Sequence, residues 1–274
     1  MDNNAKLRPL YLAKILYERT DEDHYLTTMQ LAQILEEEYG IPAHRQTIKT
    51  DIELLQQFGM DIQEVKSTQN RYNLISRQFE IAELKLLIDA VQSSKFISKE
   101  RSEQMVSKIV TLAGQHKAEE LKRNASVEGR VKSENRQDLL IVDAINEAIN
   151  ARKKIAFQYF AYNIRKQKKL RHDGERYIFS PYRLIWNGDY YYVLGYSDKH
   201  QAIGSFRVDR ISARPDILSE EAVPVPADFG VDDFLATTFR MYGSECQEVE
   251  LICDNSVIDA IIDRFGTDVT IYAC

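Results

Sequence analysis

Cysteine is scarce. Cys246, Cys253 and Cys274 are the only three in 274 residues. Their odd number and their lack of metal-ligand spacing exclude a disulfide scaffold and read as reduced thiols of a cytoplasmic protein. Long apolar runs are missing too. No stretch approaches the roughly 20 residues of a membrane span, and no signal-peptide pattern opens the sequence, so no membrane partner is expected. Catalytic signatures are also wanting: there is no P-loop, no G-x-S-x-G and no H-E-x-x-H. The five histidines, His24, His44, His116, His172 and His200, are scattered without ligand spacing. The expectation is a binding protein, not an enzyme, with no cofactor and no metal. Two alternatives stay open: a nucleic-acid-processing enzyme subunit whose N-terminal segment only docks the substrate, and an RNA-binding adaptor.

The chain is too long for one ordinary core and fits two or three small domains. Its net charge of −6 argues against a globally basic nucleic-acid coat but leaves room for local basic patches. The charge is unevenly spread. Arg152 to Arg176 holds nine Lys/Arg against Asp173 and Glu175, whereas Asp216 onward holds thirteen Asp/Glu against Arg240 and Arg264. Such asymmetry points to segments that face different partners.

The first 77 residues read as three helices and a hairpin. "AKLRPLYLAKILYE" sets Leu12, Ile15 and Leu16 on one stripe. In "LTTMQLAQILEEEYG", Thr27 and Gln30 have capping-box spacing, Leu31, Ile34 and Leu35 form the apolar face, and Gly40 ends the helix. "AHRQTIKTDIELLQQFG" turns Ile48, Ile52 and Leu55 inward and leaves His44, Arg45, Gln46, Lys49, Thr50 and Glu53 on other faces. "MDIQEVKSTQNRYNLIS" reads as two strands around a polar turn. This is the order of a winged helix-turn-helix, whose third helix enters a major groove. Arg45 suits guanine, Gln46 suits adenine, and Thr47 and Lys49 suit phosphates. Lys66 and Arg71 flank the turn that would touch the backbone. The expected partner is a double-stranded DNA operator.

The middle is helical. Ile81, Leu84, Ile88 and Val91 share one stripe, and Met105, Ile109 and Leu112 another, with Ser98 as N-cap and Gly114 as stop. A further helix, "DLLIVDAINEAINA", turns Val142, Ile145 and Ile149 inward. After Ala151 the pattern changes to short strands. Asn187-Gly188 predicts a two-residue hairpin turn with φ > 0 at both positions. It sets Ile185 against Tyr190, Leu184 against Tyr191 and Arg183 against Tyr192. Alternation then puts Leu184, Tyr191 and Val193 on one side and Arg183, Ile185, Tyr190 and Tyr192 on the other. Tyr192 beside Arg183 reads either as a cross-strand cation–π pair or as half of a ligand platform. Tyrosine is also simply a good strand residue.

"KKIAFQY", "SPYRLIWNGDYYYVLGYS" and "FRVDRI" resemble the WYL domain of bacterial transcriptional regulators. The name-giving triplet falls on Tyr191, Tyr192 and Val193. "TIKTDIELLQQFG" is similar to the winged-helix half of the same regulators, and "FEIAELKLLIDAVQSSKFIS" to their interdomain helices. The resemblance implies a small Sm- or SH3-like β-barrel that senses nucleic acid, nucleotides or another anionic ligand. Its basic and aromatic positions fall here on Tyr159, Arg176, Arg183, Tyr192, Arg207 and Arg210. It also implies a longer ferredoxin-like C-terminal extension. "EVELIC", "NSVIDAIIDRFG" and "DVTIYAC" read as one β-α-β unit of it, with a cap at Asn255 or Ser256, so the expectation is a truncated version or a partner that supplies the rest. Paired half-sites favour a homodimer.

The expected fold is α+β and multidomain. Residues 1–77 form the winged helix-turn-helix, 78–135 a helical linker and 136–218 the Sm/SH3-like barrel of the WYL domain. Residues 219–243 form a connector and 244–274 a partial ferredoxin-like β-α-β tail.

Overall fold

The computed structural model describes residues 3–66, 68–123, 132–133, 137–227, 229–230, 234 and 250–272. The chain mixes helices with antiparallel sheets and divides into two units, 1–225 and 226–274.

The first unit opens with α1 (Asn3–Arg19), the short β1 (Leu26–Thr27), α2 (Thr28–Tyr39) and α3 (Arg45–Phe58). The hairpin β2 (Ile62–Val65) and β3 (Arg71–Leu74) follows, and the three strands pair in the order β1-β3-β2. Local chemistry sets the boundaries. Thr27 and Gln30 close a capping box at the start of α2, and Gly40 and Gly59 take left-handed backbone after α2 and α3. Leu12, Ile15, Leu16, Leu31, Leu35, Ile48, Ile52 and Leu55 are buried together with Tyr72. Inside this core the guanidinium of Arg8 donates to both oxygens of Asp51, at 2.5 and 3.3 Å, and ties α1 to α3.

A second core joins α4 (Ile81–Ser93), α5 (Lys99–Thr111) and α6 (Gln115–Arg123) around Leu84, Ile88, Val110, Ala113 and Leu121. The predicted stripe on α5 is turned by one residue: Val106 and Val110 lead it, and Met105 lies outside the cluster. The helix α6 carries too few apolar residues to show in the sequence pattern. Arg77 fastens this core to α1. It donates to the carbonyls of Tyr17 and Thr20, both at 2.7 Å, and to that of Leu112 at 3.4 Å.

The third core lies between α7 (Asp138–Ala151) and a five-stranded antiparallel sheet. The strands are β4 (Lys153–Phe157), β7 (Tyr177–Asn187), β8 (Tyr190–Ser197), β9 (Ala202–Arg207) and β10 (Asp216–Glu221), in the order β10-β4-β7-β8-β9. A separate ribbon pairs β5 (Phe160–Tyr162) with β6 (Lys168–Leu170). On α7 the fully buried apolar residues are Ile141, Ala144, Ile145 and Ala148, while Val142 and Ile149 are half-buried, so the stripe sits one residue from the predicted one. Gly195 is required by a close approach: a Cβ there would meet the Ser180 carbonyl oxygen at 2.2 Å and the Phe179 ring at 2.7 Å.

The β7–β8 register differs from the predicted one by two residues. Asn187 pairs Tyr190, Trp186 pairs Tyr191, Ile185 pairs Tyr192 and Arg183 pairs Leu194. The two turn residues are Gly188 and Asp189, and of the predicted pair only Gly188 takes positive φ, at 60°. Asn187 remains in the strand, as in a type II′ turn with glycine first. A shift of two keeps every side chain on its predicted face, so Leu184, Tyr191 and Val193 do line the core.

In the second unit, Asp254 caps the turn Asn255–Val257 and accepts from the Ser256 N–H at 2.9 Å; the predicted cap was one or two residues later. The helix α8 (Ile258–Phe265) follows. The strands expected on either side are not formed over Glu250–Cys253 or Asp268–Tyr272. Ile258, Ile262 and Phe265 are exposed, and an isolated pair of strands has no buried face to hold it. The remaining residues of those expected strands, of the 219–243 connector, and Cys246 and Cys274 fall wholly or partly outside the described residues.

Candidate functional site

The residues predicted to meet DNA lie on two elements. His44 is the extended N-cap of α3 and makes no side-chain cap bond. Arg45, Gln46 and Thr50 are exposed, and Thr47 and Lys49 half-buried. The Thr50 hydroxyl donates back to the Gln46 carbonyl at 3.1 Å, and Lys49 approaches Glu53 at 3.9 Å. Lys66 is exposed after β2, and the guanidinium of Arg71 lies 4.3 Å over the Tyr25 ring. The buried face of α3 thus fixes an outer face that exposes Arg45 and Gln46, and Arg45 makes no ion pair among the described residues.

The second set is divided. A cleft of about 240 Å³ lies beside the sheet, lined by Lys95, Lys132, Ser133, Phe160, Tyr162, Lys168, Tyr190, Arg207, Asp209 and Arg210. Of the six predicted ligand residues it takes Arg207 and Arg210. Arg207 donates to both oxygens of Asp209, at 3.0 and 2.7 Å, and its guanidinium carbon sits 3.4 Å from the Tyr190 ring centre. Burial alone would lower its pKa, but the hydrogen bonds and charge of Asp209 outweigh burial and hold the guanidinium firmly charged. Arg210 lies over the rings of Tyr162 and Phe160 at 4.8 and 5.8 Å.

The other four stand elsewhere. Tyr159 is packed against Tyr177 and Phe206 under the cleft. Its hydroxyl accepts from the Arg207 N–H at 3.2 Å, and burial pushes its pKa up to about 12. Arg176 is paired with Asp216 and donates to the Ala156 carbonyl. Arg183 is exposed on β7 beside an irregularity between Pro181 and Arg183, outside the cleft. Tyr192 is buried and faces Ile185, so the expected Arg183–Tyr192 pair is replaced by Arg207 over Tyr190. The cause is the two-residue shift, which moved the partners along one face.

Sequence reasoning missed Lys95, Lys132 and Ser133 because they come from segments far from the sheet. The Lys95 ammonium reaches Asp189 of the hairpin turn at 2.6 Å. That of Lys132 donates to the Val91 and Ser94 carbonyls, at 3.0 and 2.8 Å, at the end of α4. Phe160, Tyr162 and Lys168 did carry a signal: in a paired ribbon, alternation puts all three on one face. The cleft lining therefore holds five cations and three aromatic rings, with Asp209 serving Arg207 and Asp189, outside the lining, serving Lys95. That combination suits a planar, anionic ligand. Among the described residues no three His, Cys, Asp or Glu side chains gather as they would around a metal ion, and no helix is long and apolar enough to cross a membrane.

No curated protein matches the chain. Among solved structures, proteasome accessory factor B/C (PafBC) of Arthrobacter aurescens is similar over 83% of this chain and 34% of that one, at 18% identity and a TM-score of 0.28. The chain spans about a third of that protein's length. The family model of the WYL domain matches residues 141–214. That span, which matches the WYL domain, holds most of α7, most of the sheet and every cleft residue except Lys95, Lys132 and Ser133.

Proposed function

We propose that the chain is a cytoplasmic DNA-binding transcriptional regulator. In this reading its N-terminal α1–β3 segment is a winged helix-turn-helix, and its WYL domain, as a small barrel, senses an anionic ligand. The protein acts by binding, not by turnover, and as a homodimer. The observation that carries the reading is the cleft: Arg207 held over Tyr190 by Asp209, with Arg210 over Tyr162. Guanidinium groups give planar donors to phosphate, and the rings beside them give faces for bases, so a nucleotide or a short single strand fits. Ligand binding would shift the N-terminal segment between arrangements by preferring one of them.

The test has two arms. Full-length protein is titrated with nucleotides and short oligonucleotides; Arg210→Ala is expected to weaken binding about ten-fold, or ~1.4 kcal/mol. Equal binding by both proteins sinks the sensor assignment. On duplex DNA carrying a selected operator, Arg45→Ala or Gln46→Ala should cost roughly 1–3 kcal/mol and relax selectivity. Lys66→Ala should instead weaken all sequences alike and flatten the salt dependence. Unchanged selectivity in Arg45→Ala removes α3 from the DNA.

A further inference from the structure

The β5–β6 ribbon has a second face that the cleft does not use. Phe160, Tyr162 and Lys168 point to the cleft, whereas Ala161 pairs Lys169 on the other side. Every residue from Tyr162 to Asp173 is exposed, and Ile164, at the tip, is wholly so. A single exposed aliphatic residue needs no explanation by itself. This one tops a built turn. The Asn163 side chain accepts from the N–H groups of Arg165 and Gln167 at 2.9 and 3.0 Å and donates to the Gln167 side chain at 3.1 Å. Lys166 takes left-handed backbone, with φ at 61°. The tip is thus fixed with its isoleucine outward.

Cations surround it. Arg165, Lys166, Lys169 and Arg171 are exposed and make no ion pair among the described residues, and no acidic residue lies between Tyr159 and His172. A shallow groove of about 370 Å³ runs along the back of the ribbon past Ala161, Lys169 and Arg171, with Asp173 as its one acid. The shape is a narrow two-stranded finger, positive on its flanks and aliphatic at its end. Single strands are held by aromatic stacking, which an isoleucine cannot provide. Aliphatic side chains meet nucleic acid in the grooves of a duplex, against thymine methyls or as wedges between base steps.

We propose that this ribbon is a second duplex-DNA contact, separate from α3. Ile164 enters a groove, and Arg165, Lys166, Lys169 and Arg171 meet the phosphates on either side. The proposal rests on the reading of the chain as a DNA-binding protein, but it is independent of which residues of α3 read bases. It makes the WYL domain a DNA-bound module that clamps the duplex beyond the N-terminal segment.

The experiment uses the full chain and a mixed-sequence duplex of ~20 base pairs, about two helical turns. A single strand of equal length and anionic phosphatidylserine vesicles run in parallel. Ile164→Ser should weaken duplex binding about ten-fold with an unchanged salt slope, and Ile164→Val should retain it. Arg165→Gln/Lys166→Gln should lower the slope of log K against log salt by about 1.8. Unchanged duplex affinity in both variants overturns the proposal. So does an equal loss on the single strand, or an effect seen only on vesicles. Arg45→Ala, measured alongside on the selected operator, separates the two failures. A loss there with intact ribbon variants overturns the ribbon alone. A loss in the ribbon variants with none in Arg45→Ala supports the ribbon and overturns the assignment of α3.

Discussion

Two arginine–aspartate pairs of the same geometry do different work in the two halves of this unit. In the N-terminal core, Arg8 holds Asp51 through Nε and Nη2; in the WYL domain, Arg207 holds Asp209 through the same two nitrogens. Side-chain exposure is also alike, 16% and 9% for the first pair and 24% and 10% for the second. Sequence separation is what differs. Arg8 and Asp51 are 43 residues apart and join two helices, so the pair closes tertiary structure. Arg207 and Asp209 are two residues apart and close almost nothing. Their bond instead fixes a guanidinium in the lining of a cleft, over a tyrosine ring. A buried ion pair adds little net stability by its mere presence, and its role follows from what it connects.

The largest effect should come from breaking the long-range pair. Arg8→Ala leaves Asp51 buried without its partner, and should cost about 3–5 kcal/mol in denaturant unfolding. An Arg8→Met/Asp51→Leu double variant should regain most of that, because both charges leave the core. A single variant close to wild type would show that α1 and α3 are held by apolar packing alone. In that case the two pairs would differ less than their connectivity suggests.

The local pair should behave in the opposite way. Asp209→Asn keeps the shape but removes the charge that steadies Arg207. Anionic-ligand affinity should fall roughly five- to ten-fold, about 1–1.4 kcal/mol, and unfolding should change by less than ligand binding does. If Asp209→Asn instead destabilises the fold as much as Arg8→Ala, both pairs are structural and the cleft loses its preorganised donor.

The contrast also explains what could be read from the sequence. Thr27 with Gln30, Ser98, Gly40 and Gly59 act on their own neighbours, so both ends of α2, the end of α3 and the start of α5 were legible. The apolar stripes of α1 and α3 were legible for the same reason. Arg207 and Arg210 came from a family resemblance, and the structure places both in one cleft. Lys95 and Lys132 were not legible, because only tertiary folding carries them to the sheet. Tyr190 was passed over for Tyr192 through a turn placed one residue too early, which shifts the register by two without changing face. Such an error leaves the alternation intact and misassigns the partners, which is the information a binding site needs.

The smallest expected effect concerns Asp138, a third carboxylate that has no such partner. It is 1% exposed at the start of α7; one oxygen accepts from the Leu139 N–H at 2.8 Å, and the other has no hydrogen-bond partner among the described residues. Burial raises its pKa above the ordinary 3.8, against the opposing pull of nearby N–H groups and Arg101. The folded state therefore holds the proton more tightly than the unfolded chain does. Below the ordinary value both states are protonated and Asp138 is neutral to folding. As pH rises through the ordinary value and then the raised one, the unfolded chain ionises first. Stability falls across that window and stays lower at neutral pH. Asp138→Asn should remove the ionisation and raise Tm at pH 7 by roughly 2–4 °C, about 1 kcal/mol for a chain of this size. The same substitution should leave Tm nearly unchanged below pH ~4. A variant less stable than wild type at both pH values would show that the carboxylate, charged or not, is a needed acceptor at the first turn of α7.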